Sequence, residues 1–192
     1  VIRTVVLSKR AQKDIMTVPD HIVAKLQGWV LDVEYRGLEE VRKVPSYHDE
    51  PLKGPLKGLR SIRLSLSYRA STDWSKTRLS SSTSKGLINM STKKSEAIRL
   101  LEKRTGGPLT LGRFVEAIRL GEDMTQPAFA KQLGISKSHL NDIEKGRKAV
   151  SPERAARFAE VLGYSQANFV KLALQDLVSR GGLPFQVDVK AA

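Results

Sequence analysis

The sequence contains no cysteine, only three histidines and few aromatic residues, at 6%. Without cysteine there is no disulfide framework and no thiolate zinc site, so a reducing, cytoplasmic setting is expected. His21, His48 and His139 are too scattered to suggest a metal centre. No apolar run approaches the roughly 20 residues that span a bilayer, and the opening VIRTVVLSKR lacks the order of a signal peptide. There is no glycine-rich phosphate loop and no HExxH, and the serines within residues 80–84 lack a nucleophile-elbow setting. Neither a cofactor nor a metal is expected. Acidic residues are also in short supply, twenty against thirty-three Lys plus Arg, a net charge of +13. Such an excess favours a polyanionic partner, because each cation set on a phosphate releases counterions.

At 192 residues and 40% apolar content the chain can build one medium core or two small ones. The patterning favours two units. Residues 1–70 read as mixed α/β in the order strand, helix, helix, strand. IRTVVL is β-branched, Ser8 is placed to cap a helix over KRAQKDIM, and Ile22, Leu26, Trp29, Val30 and Val33 share one face of a helix from Asp20 to about Tyr35. The alternation in LRSIRLSLSYR sets Ile62, Leu64 and Leu66 on one strand face, opposite Arg63, Ser65 and Ser67. Residues 71–92 have the Ser/Thr-rich composition of a linker. A short amphipathic helix follows, capped by Ser91 or Thr92, with Ala97, Ile98 and Leu101 on one side.

From Leu109 onward, within a third unit spanning residues 93–192, the pattern is all-helical. Leu111, Phe114, Val115 and Ile118 make one apolar face, Phe129, Ala130 and Leu133 a second, Leu140 and Ile143 a third. Ser151 with Pro152 opens a fourth helix and Ser165 a fifth, while LPFQVDV near the end suits either a short strand or a loose segment. Gly134 can end a helix in the left-handed region, Ile135 can plug the turn, and Ser136 can cap the next helix. That helix buries only Leu140 and Ile143, leaving Lys137, Ser138, His139, Asn141 and Asp142 for other work. Side chains of this kind suit base edges in a major groove, which admits one helix. Gln126 stands where a side chain and a helix N-terminus can grip a phosphate, and Arg147 and Lys148 add backbone contacts.

The residues Thr125-Gln126, Phe129-Ala130, Leu133-Gly134-Ile135-Ser136, Leu140, Ile143-Glu144 and Gly146, followed by SPERAARFAEVLG, resemble the Xre (lambda-repressor/Cro-like) helix-turn-helix family over about residues 109–163. The resemblance implies a five-helix domain that binds double-stranded DNA, with Gln126, Lys137, Ser138 and Asn141 as contacts. One recognition helix reads a half-site, so a homodimer on a palindromic operator is expected. Phe169, Val170, Leu174 and Val178 on the fifth helix offer its interface. A bare protein-interaction module is the other use of such a domain.

TVVLS, the helical pair ending near Tyr35, and PLKGPLKGLRSIRLSLSYR resemble the RelE/HigB-type toxins, RNases that cleave messenger RNA on the ribosome. By position, Lys53, Lys57, Arg60, Arg63 and Arg69 would be the RNA-gripping residues. The family's further strands are missing after SLSYRA, so the sheet is expected to keep an unpaired edge and the unit to be inactive as an RNase. The second half is similar to the antitoxin HigA, and Met90 stands where a separate antitoxin could begin. The resulting expectation is an autorepressor of a toxin–antitoxin operon, a truncated toxin fused to its antitoxin, with a cognate toxin as a further partner. A hydrophobic core shared by the two halves would remove the fusion. The alternatives are a latent mRNA endonuclease held by its tethered antitoxin, and a regulator whose first unit senses a small ligand.

Overall fold

A computed structural model describes residues 2–73 and 94–190. The expected linker from Trp74 onward, Met90 and the Ser91 or Thr92 cap lie outside the described residues. The first half holds α1 (Lys9–Asp14), α2 (Asp20–Arg36), α3 (Leu38–Val41) and the strands β1 (Glu50–Pro51), β2 (Leu59–Arg63) and β3 (Arg69–Asp73). The second half holds α4 (Glu96–Thr105), α5 (Leu111–Gly121), α6 (Gln126–Gln132), α7 (Lys137–Glu144), α8 (Pro152–Leu162) and α9 (Gln166–Arg180).

Local chemistry accounts for the helix limits. The Ser8 hydroxyl accepts the Ala11 amide, and Ser95, Thr110, Ser136, Ser151 and Ser165 cap α4, α5, α7, α8 and α9 in the same way. Ser95 therefore takes the role expected of Ser91 or Thr92. Gly106 and Gly163 end α4 and α8 at φ of 77° and 69°, which a Cβ would oppose.

The β-rich readings need correcting. IRTVVL forms no strand; it is tied to the body by the Ile2 carbonyl, which accepts from the Leu38 amide, by Arg3, which donates to the Tyr35 carbonyl, and by Val5 and Leu7 packed against the core. LRSIRLSLSYR is not one strand but most of an antiparallel hairpin, with Ile62 opposite Ala70 and a turn held by the Ser65 hydroxyl, which accepts from the Ser67 and Tyr68 amides. Ile62 and Leu64 are buried as expected, but Ser65 is buried with them and Leu66 is exposed. The pairing runs on through Asp73, so the first residues assigned to the linker are strand. With β1 on its other side, β2 has both edges covered. LPFQVDV is not a strand; Gln175 on α9 holds it, donating to the Phe185 carbonyl and accepting from the Val187 amide.

The helix α2 is the centre of the molecule. It packs on α3, α4 and α5, and nearly every residue from Ile22 to Val33 is buried, including Lys25, Gln27 and Asp32. Lys25 pairs with Glu122 and Asp32 bidentately with Arg36 at 2.6 and 2.7 Å, while Gln27 accepts from the Thr105 hydroxyl through Oε1 and its buried amide nitrogen has no partner among the described residues. Burial lowers the Lys25 pKa, against the pull of Glu122, and raises that of Asp32 against Arg36.

One apolar core runs through both halves, from Ile15 to Ala173. Tyr47 from the first half meets Tyr164 edge-on at 5.3 Å, and Phe114 and Phe169 complete the aromatic cluster at 5.5–5.7 Å. Ser46 donates to the Leu162 carbonyl, and the hairpin tip docks on the end of α5 through the Leu66 amide and the Gly121 carbonyl. The described residues of the first seventy thus share a core with the helical half, a packing that lends no support to a separate toxin remnant.

A half-buried carboxylate on α9 gives a pH signature. Asp176 accepts the Leu111 amide at 2.9 Å, yet burial pushes its pKa up to about 6. The folded state thus holds a proton that the unfolded chain releases near pH 4, and stability falls as pH rises through that window. Asp176→Asn keeps an acceptor for Leu111 and is expected to remove this loss, worth on the order of 1–2 kcal/mol for a partly exposed group. Melting curves at pH 4.5 and 7 check it: the substitution should gain most at the higher pH, and an equal effect at both would refute the assignment.

Candidate nucleic-acid interface

Two helices and a tight turn build the site. Thr125 caps α6 and Pro127 sits in its first turn, where a missing N–H costs nothing. Gly134 turns the chain at φ 67°, with the Ile135 amide bonded to the Ala130 carbonyl. Ser136 then caps α7 by accepting the His139 amide at 3.1 Å. Leu140 and Ile143 are buried beneath α7, while Lys137 and Ser138 are exposed and His139, Asn141 and Asp142 partly so.

The support under this surface is polar and was not foreseen. Glu144, on the buried side of α7, receives Arg119 of α5 bidentately at 2.6 and 3.0 Å. The Arg119 guanidinium also donates to the Met124 carbonyl, and Gln126 donates to Glu144 at 2.7 Å. One carboxylate therefore locks α5, α6 and α7 together. The signal was present: Arg119 and Glu144 each follow an apolar core position, at the spacing that turns them inward. Backbone contact is equally close, since a Cβ on Gly112 would stand 2.1 Å from the Ile143 carbonyl oxygen.

The expected contact residues divide into four groups. Lys137 and Ser138 project freely from the first turn of α7, and Lys148 is exposed beyond it. Gln126 is anchored by Glu144 and donates to the side-chain oxygen of the partly exposed Asn141 at 3.4 Å. Arg147, exposed beyond α7, pairs with Asp142 at 2.8 Å. His139 lies 3.3 Å from Arg154 of α8, a cation absent from the sequence reading that joins the same surface. Burial first, then Arg154 and Lys148, lowers the His139 pKa.

Other expected sites fall elsewhere. Arg60 pairs with Asp49, Arg63 with Glu122 and Arg69 with Glu50, so these three are sheet and interface braces rather than a free RNA-gripping set; Lys53 and Lys57 are exposed. Phe169 is corrected from a dimer contact to a core residue at 0% exposure, whereas Val170, Leu174 and Val178 are partly buried along α9. Among the described residues no acidic or histidine cluster could hold a metal, and no helix is long and apolar enough to cross a membrane.

Residues 110–171 match the family model described as a helix-turn-helix domain. No curated protein and no solved structure matches the chain.

Proposed function

We propose that this chain, through the helix-turn-helix domain over residues 110–171, is a sequence-specific transcriptional regulator that binds a palindromic duplex operator as a homodimer. The observation that carries this reading is the outward face of α7: Lys137 and Ser138 are exposed and Asn141 partly so, on a platform fixed by Arg119 and Glu144. Lys148 and Arg154 flank that face with the charge a phosphate backbone attracts. Dimerisation rests on the two-fold logic of half-site reading and on the outer face of α9, where Leu177 is exposed beside Leu174 and Val178. The narrower role of autorepressor in a toxin–antitoxin operon rests on sequence resemblance alone, and with the first half packed as a partner the operator need not lie beside a toxin gene.

Selection of bound sites from random duplex DNA tests the reading. The recovered sites should be two-fold symmetric, with half-sites about one helical turn apart. Lys137→Ala and Asn141→Ala should each reduce discrimination between selected and random duplex by about 1–3 kcal/mol, and Arg147→Ala should change it little. Failure to recover any motif, or an equal loss on every duplex, would remove the base-reading assignment.

A further inference from the structure

A cleft of about 370 Å³ lies where the first half of the chain meets α5 and α6, within the size range of small-molecule sites. Ile118, Met124, Phe129 and Leu162 give it an apolar lining. The charge at its edge is satisfied: of the two Glu122 oxygens, Oε1 accepts from Lys25 and Oε2 from Arg63. Glu122 is the one Asp, Glu, Lys or Arg in the lining, so neither a cation nor an anion finds a free partner there. An occupant of this cleft is therefore neutral.

The uncharged polar side chains of the lining are engaged or exposed, with one exception. Ser46 donates to the Leu162 carbonyl, His48 faces Arg63 at 3.3 Å, and Gln132 is open to solvent. Tyr164 also lines the cleft and is only 8% exposed, yet its buried hydroxyl has no partner among the described residues. Glu122 and Arg63 both act on that hydroxyl, which sets it at the Glu122 end of the cleft. Burial first, then Glu122, raises its pKa, so it stays protonated and is available as a donor. A buried donor left unpaired is costly, and an acceptor brought into the cleft would remove that cost. The apolar lining and the single unused donor together describe a molecule with an apolar body and one carbonyl oxygen.

We infer that this cleft binds a small neutral molecule of the aryl ketone class, its ring set against Ile118, Phe129 and Leu162 and its carbonyl oxygen accepting from the Tyr164 hydroxyl. Ser46 and His48 belong to the first half of the chain and Phe129 to α6, so an occupant touches both the first half and the helix-turn-helix. This inference stands apart from the DNA-binding reading, and its test uses no DNA.

The chain has three methionines, and Met124 alone of the described two lines the cleft, Met16 being exposed just after α1. Methionine-methyl carbon-13 labelling of the full chain therefore reports occupancy directly. Titration with acetophenone should move the Met124 signal saturably, with a midpoint at or below about 1 mM, and leave Met16 in place. Tyr164→Phe removes the donor and keeps the ring, and should weaken acetophenone by about threefold or more while leaving ethylbenzene, which has no acceptor, unchanged. Phenylacetate, similar in size but charged, should bind at least about tenfold more weakly than acetophenone, because its carboxylate would leave water without a free cation to meet it. Without any added molecule Tyr164→Phe should melt no lower than the parent chain, since the hydroxyl it loses has no bond to break. No saturable movement of Met124 up to about 20 mM acetophenone, an unchanged affinity for acetophenone in Tyr164→Phe, or an equal loss for ethylbenzene would each overturn the assignment. So would phenylacetate binding as tightly as the ketone, or a melting temperature lowered by more than about 5 °C in Tyr164→Phe, which would show the hydroxyl already engaged within the fold.

Discussion

Replacing Glu144 by alanine should lower the stability of the chain by about 3–5 kcal/mol, the cost of leaving one member of a buried ion pair without its partner. Arg119 is 8% exposed and Glu144 3%, so water cannot take over the broken contacts. The loss would leave a guanidinium in the core and free the Gln126 amide that Glu144 now holds. For a chain of this length that corresponds to a fall in melting temperature of roughly 10 °C or more. Glu144→Gln keeps size and one acceptor but not the charge, and should recover only part of the loss. Replacing both partners by apolar residues of similar volume should recover most of it, because the expense lies in the uncompensated charge rather than in the lost attraction. That double variant should still bind DNA with weakened sequence preference, since Gln126 and Asn141 lose the anchor that orients them. Urea titration measures the stability, and a loss below about 1 kcal/mol for Glu144→Ala would show that the pair is not the clasp described here.

The helix-turn-helix was legible in the sequence because its signals are local. A glycine at the helix end, a serine cap two residues on and apolar positions at three- and four-residue spacing act within one turn of chain, and Gly134, Ser136, Leu140 and Ile143 all do what their types dictate. What was not legible depends on partners distant in sequence. Lys25, Gln27 and Asp32 give α2 the look of a half-solvated helix, yet its polar side is covered, because Glu122 and Thr105 meet it from the second half. Arg60, Arg63 and Arg69 read as a free cationic face for the same reason: the carboxylates that neutralise them lie on β1, in the loop before it and at the end of α5. Phe169 fits an interface stripe as well as a core stripe, and only the positions of Phe114 and Tyr164 decide between them. Periodicity says that a side chain has a buried direction, not what occupies it. The β-branched run at residues 2–7 shows the converse, an intrinsic preference for extended chain that no neighbouring strand completes.

Gly28→Ala should destabilise the whole chain, against the ordinary effect of that exchange. In the interior of a helix alanine is favoured over glycine by about 1 kcal/mol. At Gly28, however, a Cβ would stand 2.3 Å from Cε2 of Phe114 and within 2.8 Å of two further ring atoms. The ring cannot retreat, for it is 0% exposed and packed against Tyr164 and Phe169. Overpacking of this kind costs about 1–3 kcal/mol and more where the neighbours are fixed, which outweighs the helix preference and lowers the melting temperature by roughly 5–10 °C. Phe114 belongs to α5, inside the helix-turn-helix domain, whereas Gly28 belongs to α2. The substitution should therefore shift a single transition that includes the DNA-binding helices, and weaken operator binding near the lowered melting point. A compensating Phe114→Leu in the same chain should restore part of the loss, a non-additivity that only direct contact between the two sites produces. If Gly28→Ala instead raised the melting temperature, or left the helical transition of residues 110–171 in place while the first half melted earlier, the two halves would have separate cores.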